Sequence, residues 1–271
     1  MHPNAPEYTS GEPLIRMRGV FKAFGPVRAL RGANLTLWPS EVLGLVGDNA
    51  AGKSTLMKVL TGVHRPDEGE ILFEGRRVAF YSPRESRALG IEMIYQDLAL
   101  CQNLDVVANV FLGRELTRPV LPGLVSRLDE PRMEAETRRL LDRLRINIAS
   151  VRTNVERMSG GQQQAVAIAR AAAFQARVVI MDEPTASLAV KEVGKVLDLV
   201  GHLREAGVAV ILISHRLQDV FTVCDRVMVL RGGQCVAERP IRDATMDEVV
   251  RYIVGAEAGE LGLIATPGGQ S

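Results

Sequence analysis

Gly47-Asp48-Asn49-Ala50-Ala51-Gly52-Lys53-Ser54-Thr55 is the stretch whose reading decides the fold. It fits G-x-x-x-x-G-K-[ST], a loop built to hold phosphates. The apolar run Val42-Leu43-Gly44-Leu45-Val46 precedes it and reads as a buried strand; Leu56-Met57-Lys58-Val59-Leu60 follows and reads as the opening of a helix. Strand, tight loop and helix start, in that order, aim backbone N–H groups at an anion. On this reading the backbone from Gly47 to Thr55 cradles the phosphates. Lys53 reaches the β- and γ-phosphates, and the Ser54 hydroxyl ligates Mg²⁺.

A second signal lies far along the chain, in Val178-Val179-Ile180-Met181-Asp182-Glu183-Pro184. Four apolar residues end in two adjacent carboxylates. A helical stretch from Lys191 to Glu205 and another apolar run, Val208 to Ile213, come next. Continuous rather than alternating apolar strands point to a parallel sheet covered on both faces. In such sheets ligands bind outside the carboxyl ends of the strands. Asp182 is placed there to hold Mg²⁺, directly or through water, and Glu183 to polarise a water for in-line attack on a γ-phosphate. A solvated acidic strand end is the bland alternative; a phosphate loop in the same chain argues against it.

The third signal is Met158-Ser159-Gly160-Gly161-Gln162, directly before an Ala-rich helix over Gln162 to Gln175. Small residues at a helix N-terminus make another anion site. Within one chain it is redundant. It makes sense if Ser159, Gly160, Gly161 and Gln162 cap the nucleotide of a second copy.

Together these motifs resemble the ATP-binding subunits of ABC transporters, over about residues 14 to 255. Ser159 to Gln162 match the LSGGQ signature, with Met158 in the Leu position, and this signature is far more specific than the phosphate loop. The resemblance implies ATP and Mg²⁺ as ligands. It assigns Phe24, in Lys22-Ala23-Phe24-Gly25, to stacking on adenine, a kind of contact that supplies about 1–3 kcal/mol per base in nucleic-acid complexes. It makes Gln96, after Ile94-Tyr95, the glutamine that senses Mg²⁺ or the attacking water. It makes His215, in Ile213-Ser214-His215-Arg216, the switch histidine that bonds the γ-phosphate and orients Glu183. Gly90 to Gln96, Val110 to Glu115 and Ala165 to Ala171 look like the ribose-type sugar importers, in the shorter single-cassette form of the fructose-type subunits. Three departures stand out. Ala50 sits where these loops usually carry Gly, Gln163 replaces a common Arg, and Ser187-Leu188-Ala189-Val190 lacks the usual terminal Asp.

The rest of the chain sets the organisation. The 271 residues carry 33 Lys and Arg against 32 Asp and Glu, so there is no basic field and no nucleic-acid partner is expected. Cys101, Cys224 and Cys235 form no metal-type pair and suit a reducing compartment. The N-terminus lacks the apolar core of a secretory signal, and the apolar runs are too short to span a bilayer. Residues 14 to 38 and 70 to 75 read as antiparallel strands, and 105 to about 158 as largely helical, with Leu116 to Leu128 an irregular link.

The expected fold is therefore α/β, a P-loop NTPase with a RecA-like core, an N-terminal antiparallel β subdomain and a helical subdomain inserted over 97–160. Loose tails are expected at 1–12 and 257–271, around an ATPase domain at 13–256. The resemblance further implies a head-to-tail pair of cassettes, most simply a homodimer, an integral membrane permease gripping the Gln96 region, and a periplasmic sugar-binding protein. Such a subunit sits at the cytoplasmic face of the membrane. The competing classes are an importer of a non-sugar solute, a regulatory nucleotide-binding module, or a soluble ATPase of this family acting on DNA or the ribosome. The interval from Thr55 to Met158 leaves no room for the long coiled coil of the DNA-repair members, and only one cassette is present, unlike translation factors. A GTPase is disfavoured because no N-K-x-D motif occurs.

Overall fold

The computed structural model describes residues 11–121 and 125–255. The expected tails, apart from residues 11 and 12, lie outside the described residues. Strands β1 (Ile15–Phe24) and β2 (Val27–Leu37) form an antiparallel hairpin that sets Ile15 opposite Leu37 and Met17 opposite Leu35, all four buried. β3 (Val42–Val46) is buried at every position and delivers the chain into the phosphate loop and α1 (Lys53–Leu60). β4 (Glu68–Phe73) and β5 (Arg76–Val78) complete an antiparallel sheet of order β2-β1-β4-β5, the expected β subdomain. α2 (Pro83–Ala88) and β6 (Ile91–Ile94) return the chain to the core.

The segment expected to be mostly helical is more mixed. It contains α3 (Val106–Phe111), a hairpin of β7 (Thr117–Leu121) and β8 (Val125–Leu128), then α4 (Glu130–Arg143) and a single 3₁₀ turn at Val155–Arg157. The irregular link is thus an antiparallel ribbon, with Arg118 opposite Arg127. Pro119 does not prevent this, because in a two-stranded ribbon both strands are edges and a missing N–H can face outward. The Pro-Gly pair at 122–123, read in the sequence as part of an irregular link, lies outside the described residues. α4 follows its periodicity: Met133, Leu140, Leu141 and the capping Leu144 are buried, and Asp129 caps the N-terminus by accepting from the Arg132 N–H.

α5 (Gly160–Ala172), β9 (Val178–Asp182), α6 (Val190–Glu205), β10 (Ala209–Ile213), α7 (Leu217–Val223), β11 (Arg226–Arg231), β12 (Gln234–Pro240) and α8 (Met246–Val254) finish the fold. The second sheet has the order β12-β11-β3-β10-β9-β6. The five strands from β11 to β6 run parallel, and β12 is an antiparallel edge. Strand residues alternate between two cores. Leu43, Leu45, Ile180 and Ile211 pack with α1 and the β subdomain, while Val42, Val179, Val210 and Leu212 pack with α5 and α6. No helix among the described residues is long and apolar enough to cross a membrane.

The parallel register matters most for the site. Ile213 lies opposite both Leu45 and Asp182, so the carboxyl ends of β3, β10 and β9 end side by side. At the opposite edge the two sheets are tied by a buried charge: the Arg226 guanidinium donates to both Glu41 oxygens at 2.7 and 3.1 Å and to the Thr36 carbonyl at 2.6 Å.

Candidate active site

The phosphate loop bends where its glycines allow. Gly47 has φ +151°, and a Cβ there would overlap the Leu230 carbonyl; Gly52 has φ +103°, and a Cβ there would come within 2.7 Å of the Ala29 carbonyl. Lys53 Nζ donates back to the carbonyls of Gly47 at 2.7 Å and Asp48 at 2.9 Å, spanning the loop. Ala50 answers the question raised by its departure from Gly. Its φ is +64°, so the position does demand the left-handed region, and Ala holds it under strain.

Asp182 ends β9 and Glu183 follows it. Glu183 also has a left-handed backbone, φ +52°, and its N–H donates to the Ile213 carbonyl at 2.9 Å. That turn sends its carboxylate to His215, whose Nδ1 lies 2.7 Å from Glu183 Oε2. The charges are crowded. Burial lowers the Lys53 pKa, and Glu183, Asp182 and Asp48 pull it back up. Burial raises the Asp182 pKa, the neighbouring Glu183 raises it further, and Lys53 opposes both.

A cleft of about 510 Å³ opens beside these groups. Gly47, Asp48, Asn49, Gln96, Glu183 and His215 line it, with Leu217 of α7 and Ile253 of α8 as apolar wall. Residues from five separate parts of the sequence therefore meet at one strand edge, Leu217 and Ile253 among them. The last two were not anticipated, and no local pattern marks them; only packing brings α8 to this edge. A larger hollow of about 750 Å³ between β8 and α4 contains none of the expected site residues, and there Arg138 and Arg152 both pair with Glu134.

Lys53, Ser54 and Thr55 at the start of α1 and Asp182 at the end of β9 adjoin the cleft without lining it, and two further expected groups stand apart from it. Phe24 stands exposed near the tip of the β1–β2 hairpin, its ring edge-on to His64 with centroids 5.0 Å apart. Ser159 and Gln162 form a capping box at the head of α5: the Ser159 hydroxyl accepts from the Gln162 N–H, and the Gln162 side chain accepts from the Ser159 N–H. That arrangement leaves the N–H groups of Gly160 and Gly161 for an external acceptor. Both glycines abut the start of α6 and the turn before it, with Leu188 and Glu192 close by.

The donors proposed for Mg²⁺, the Ser54 hydroxyl, the Gln96 amide and the Asp182 carboxylate, are all hard oxygen ligands. No group of three or more His, Cys, Asp or Glu of metal-binding geometry occurs among the described residues. That sparse set fits Mg²⁺, which is held by one or two carboxylates together with substrate phosphates rather than by an all-protein cage.

Comparison with known proteins agrees with this geometry. The family model described as "ABC transporter" matches residues 30–186. The chain is 42% identical to a xylose/arabinose import ATP-binding protein of Sulfolobus acidocaldarius, over 92% of this chain and 97% of that protein. It is 45% identical to a fructose import ATP-binding protein of Rhizobium meliloti, over 91% and 95%. Among solved structures, an ATP-binding cassette of an ABC transporter in its ADP conformation superposes with a TM-score of 0.75 at 26% identity, covering 89% of this chain and 95% of that one. Matched by the family model over more than half of its length and by these relatives over nearly the whole of both chains, the chain belongs to the ABC transporter family of ATP-binding, ATP-hydrolysing proteins.

Proposed function

We propose that this chain is the ATPase subunit that powers sugar import through a membrane permease. The observation that carries the hydrolytic part is the 2.7 Å contact between Glu183 and His215 in the cleft beside the phosphate loop. The similarity to sugar-import ATP-binding proteins over nearly their whole length supports the transport part.

In this reading the loop from Gly47 to Thr55 wraps the phosphates of ATP. Lys53 exchanges its two carbonyl partners for β- and γ-phosphate oxygens. Ser54, Gln96 and Asp182 would hold Mg²⁺, which neutralises developing phosphate charge when bound. Glu183 takes the proton of the attacking water. His215 steadies the Glu183 carboxylate and bonds the γ-phosphate. Phe24 stacks on the adenine. Ser159, Gly160, Gly161 and Gln162 cap the nucleotide of a second cassette, the Ser159 hydroxyl donating its own proton while its oxygen keeps the helix cap. Two copies with this geometry pair head to tail, and ATP closes the pair because it touches both halves only in the closed state. The permease grips the region of Gln96 and residues 97–160 on the cytoplasmic face, and a periplasmic binding protein delivers the sugar.

The test is to isolate the Glu183→Gln chain with ATP from its native membranes and identify what accompanies it. A multi-spanning permease is the expected companion. Ribosomes or DNA-repair factors in its place would redirect the reading to the soluble members of the family.

A further inference from the structure

Just behind the cleft, two buried side chains join the loops that carry Glu183 and His215. Thr185 Oγ1 donates to Asp219 Oδ2 at 2.5 Å, and both residues are buried, Thr185 at 1% and Asp219 at 4% exposure. Thr185 lies two residues after Glu183, in the turn closed by Ala186 N–H to the Glu183 carbonyl at 3.2 Å. Asp219 lies in α7 and holds Arg216, the neighbour of His215, from two sides. Its N–H donates to the Arg216 carbonyl at 3.0 Å, and its carboxylate sits 3.7 Å from Arg216 Nε. The Arg216 N–H in turn donates to the Ser214 hydroxyl at 3.0 Å. One buried carboxylate thus ties down both loops.

We infer that Thr185 and Asp219 form a latch that positions the Glu183–His215 pair for hydrolysis. Neither touches substrate; they are positioning residues. Two features of the pair make such a latch necessary. Glu183 holds a left-handed backbone, which a side chain disfavours and which persists only where the surroundings over-determine it. The Glu183 N–H bond to Ile213 fixes where that residue begins, and the Thr185–Asp219 bond fixes where the turn goes next. His215, for its part, is largely solvent-exposed, and among the described residues Glu183 is its only hydrogen-bond partner. Its ring is therefore aimed by the backbone of its loop, which Asp219 grips through Arg216. An acid–base pair displaced by a fraction of an ångström loses rate steeply while the phosphate grip, built on the separate loop at Gly47 to Thr55, is unaffected.

This inference rests on the reading of Glu183 and His215 as the hydrolytic pair, and the experiment separates the two. Steady-state ATP hydrolysis is measured for the full chain carrying Thr185→Val, Thr185→Ser, His215→Ala, or Thr185→Val together with His215→Ala. Thr185→Val is expected to lower kcat about 10- to 100-fold with KM for ATP changed less than about twofold. Thr185→Ser, which keeps the hydroxyl, is expected to restore kcat to within about twofold of the parent. In the His215→Ala background the valine is expected to add less than about twofold, because the latch acts through the pair already broken. The ¹⁵N resonances of the His215 ring, read without nucleotide, are expected to move toward those of a free imidazole in Thr185→Val and to stay in place in Thr185→Ser. Should Thr185→Val fail to fold, Asp219→Asn carries the same measurements, since it keeps an acceptor for Thr185 while discharging the Arg216 contact; a smaller kcat loss at unchanged KM is expected. Parental kcat in Thr185→Val beside an impaired His215→Ala would overturn the latch alone, as would a valine effect undiminished in the His215→Ala background. Full activity of His215→Ala would overturn the pair and the latch with it.

Discussion

Glu183 and His215, 32 residues apart in sequence, meet Oε2 to Nδ1 at 2.7 Å because β9 and β10 are parallel neighbours that pair Asp182 with Ile213. Glu183 lies one residue past that register point and His215 two. A strand-end carboxylate and a strand-end imidazole thereby share one lip of the cleft. The opposite lip is the phosphate loop at the end of β3, which pairs with β10 on its other side.

Glu183→Gln should keep ATP binding and abolish steady turnover. The amide retains a partner for His215 but takes no proton from water, and loss of general-base assistance lowers rate by about 10²- to 10⁴-fold. Nucleotide binding by equilibrium dialysis, phosphate release and ATP-dependent dimerisation on gel filtration read the three parts separately. Ordinary turnover in the variant would remove Glu183 from the role of base.

Ser159→Arg should block hydrolysis without weakening ATP binding to the single chain. Ser159 heads α5 and does not line the cleft of its own chain. If the two-cassette arrangement proposed above holds, its effect falls on a second copy, and mixing with a Lys53→Ala chain should regain activity at the one composite site assembled from the intact halves. Hydrolysis by Ser159→Arg at the parental rate would remove the two-cassette arrangement.

Ala50→Gly should stabilise the protein. The left-handed φ of +64° costs a side-chain-bearing residue about 1–2 kcal/mol, while glycine gives back about 0.4–1 kcal/mol through a freer unfolded chain. The balance is a gain of up to about 1.6 kcal/mol, a rise of a few degrees at most in a chain of this size. Differential scanning calorimetry decides it, and a lower melting temperature would show that the alanine side chain is not what the loop strains against.

Arg226→Met should destabilise by about 3–5 kcal/mol near neutral pH, since it strands the fully buried Glu41. Burial already raises the Glu41 pKa, and Arg226 is the main group holding it down. A carboxyl whose folded pKa exceeds its unfolded value binds protons more tightly when folded, so its contribution worsens as pH rises through the unfolded value toward the folded one. The defect of the variant should therefore shrink on going from about pH 7 to about pH 5 in urea titrations. An equal defect at both would mean that Glu41 is not the stranded charge.

The phosphate loop, the strand ending at Asp182 and the helix headed by Ser159 were legible because each is a local pattern whose physics is complete within some ten residues: an apolar run, a turn that needs glycine, a helix start. The β7–β8 hairpin was not, because an exposed two-stranded ribbon buries too little to impose alternation on its sequence, and Pro119 reads as a breaker until its edge position is known.

Backbone demands and chemistry were set by sequence alone: which residues carry phosphate-binding N–H groups, which carboxylates end a buried strand, and that Ala50 departs from Gly. Tertiary structure decided everything that depends on register between distant strands. It decided that Ala50 stands under strain, aimed Glu183 at His215, brought Ile253 of α8 to the wall of the cleft, and closed Thr185 on Asp219 beneath it. Side-chain identity specifies what a group can do; only the packing of parallel strands, cooperative over the whole sheet, specifies which groups do it together.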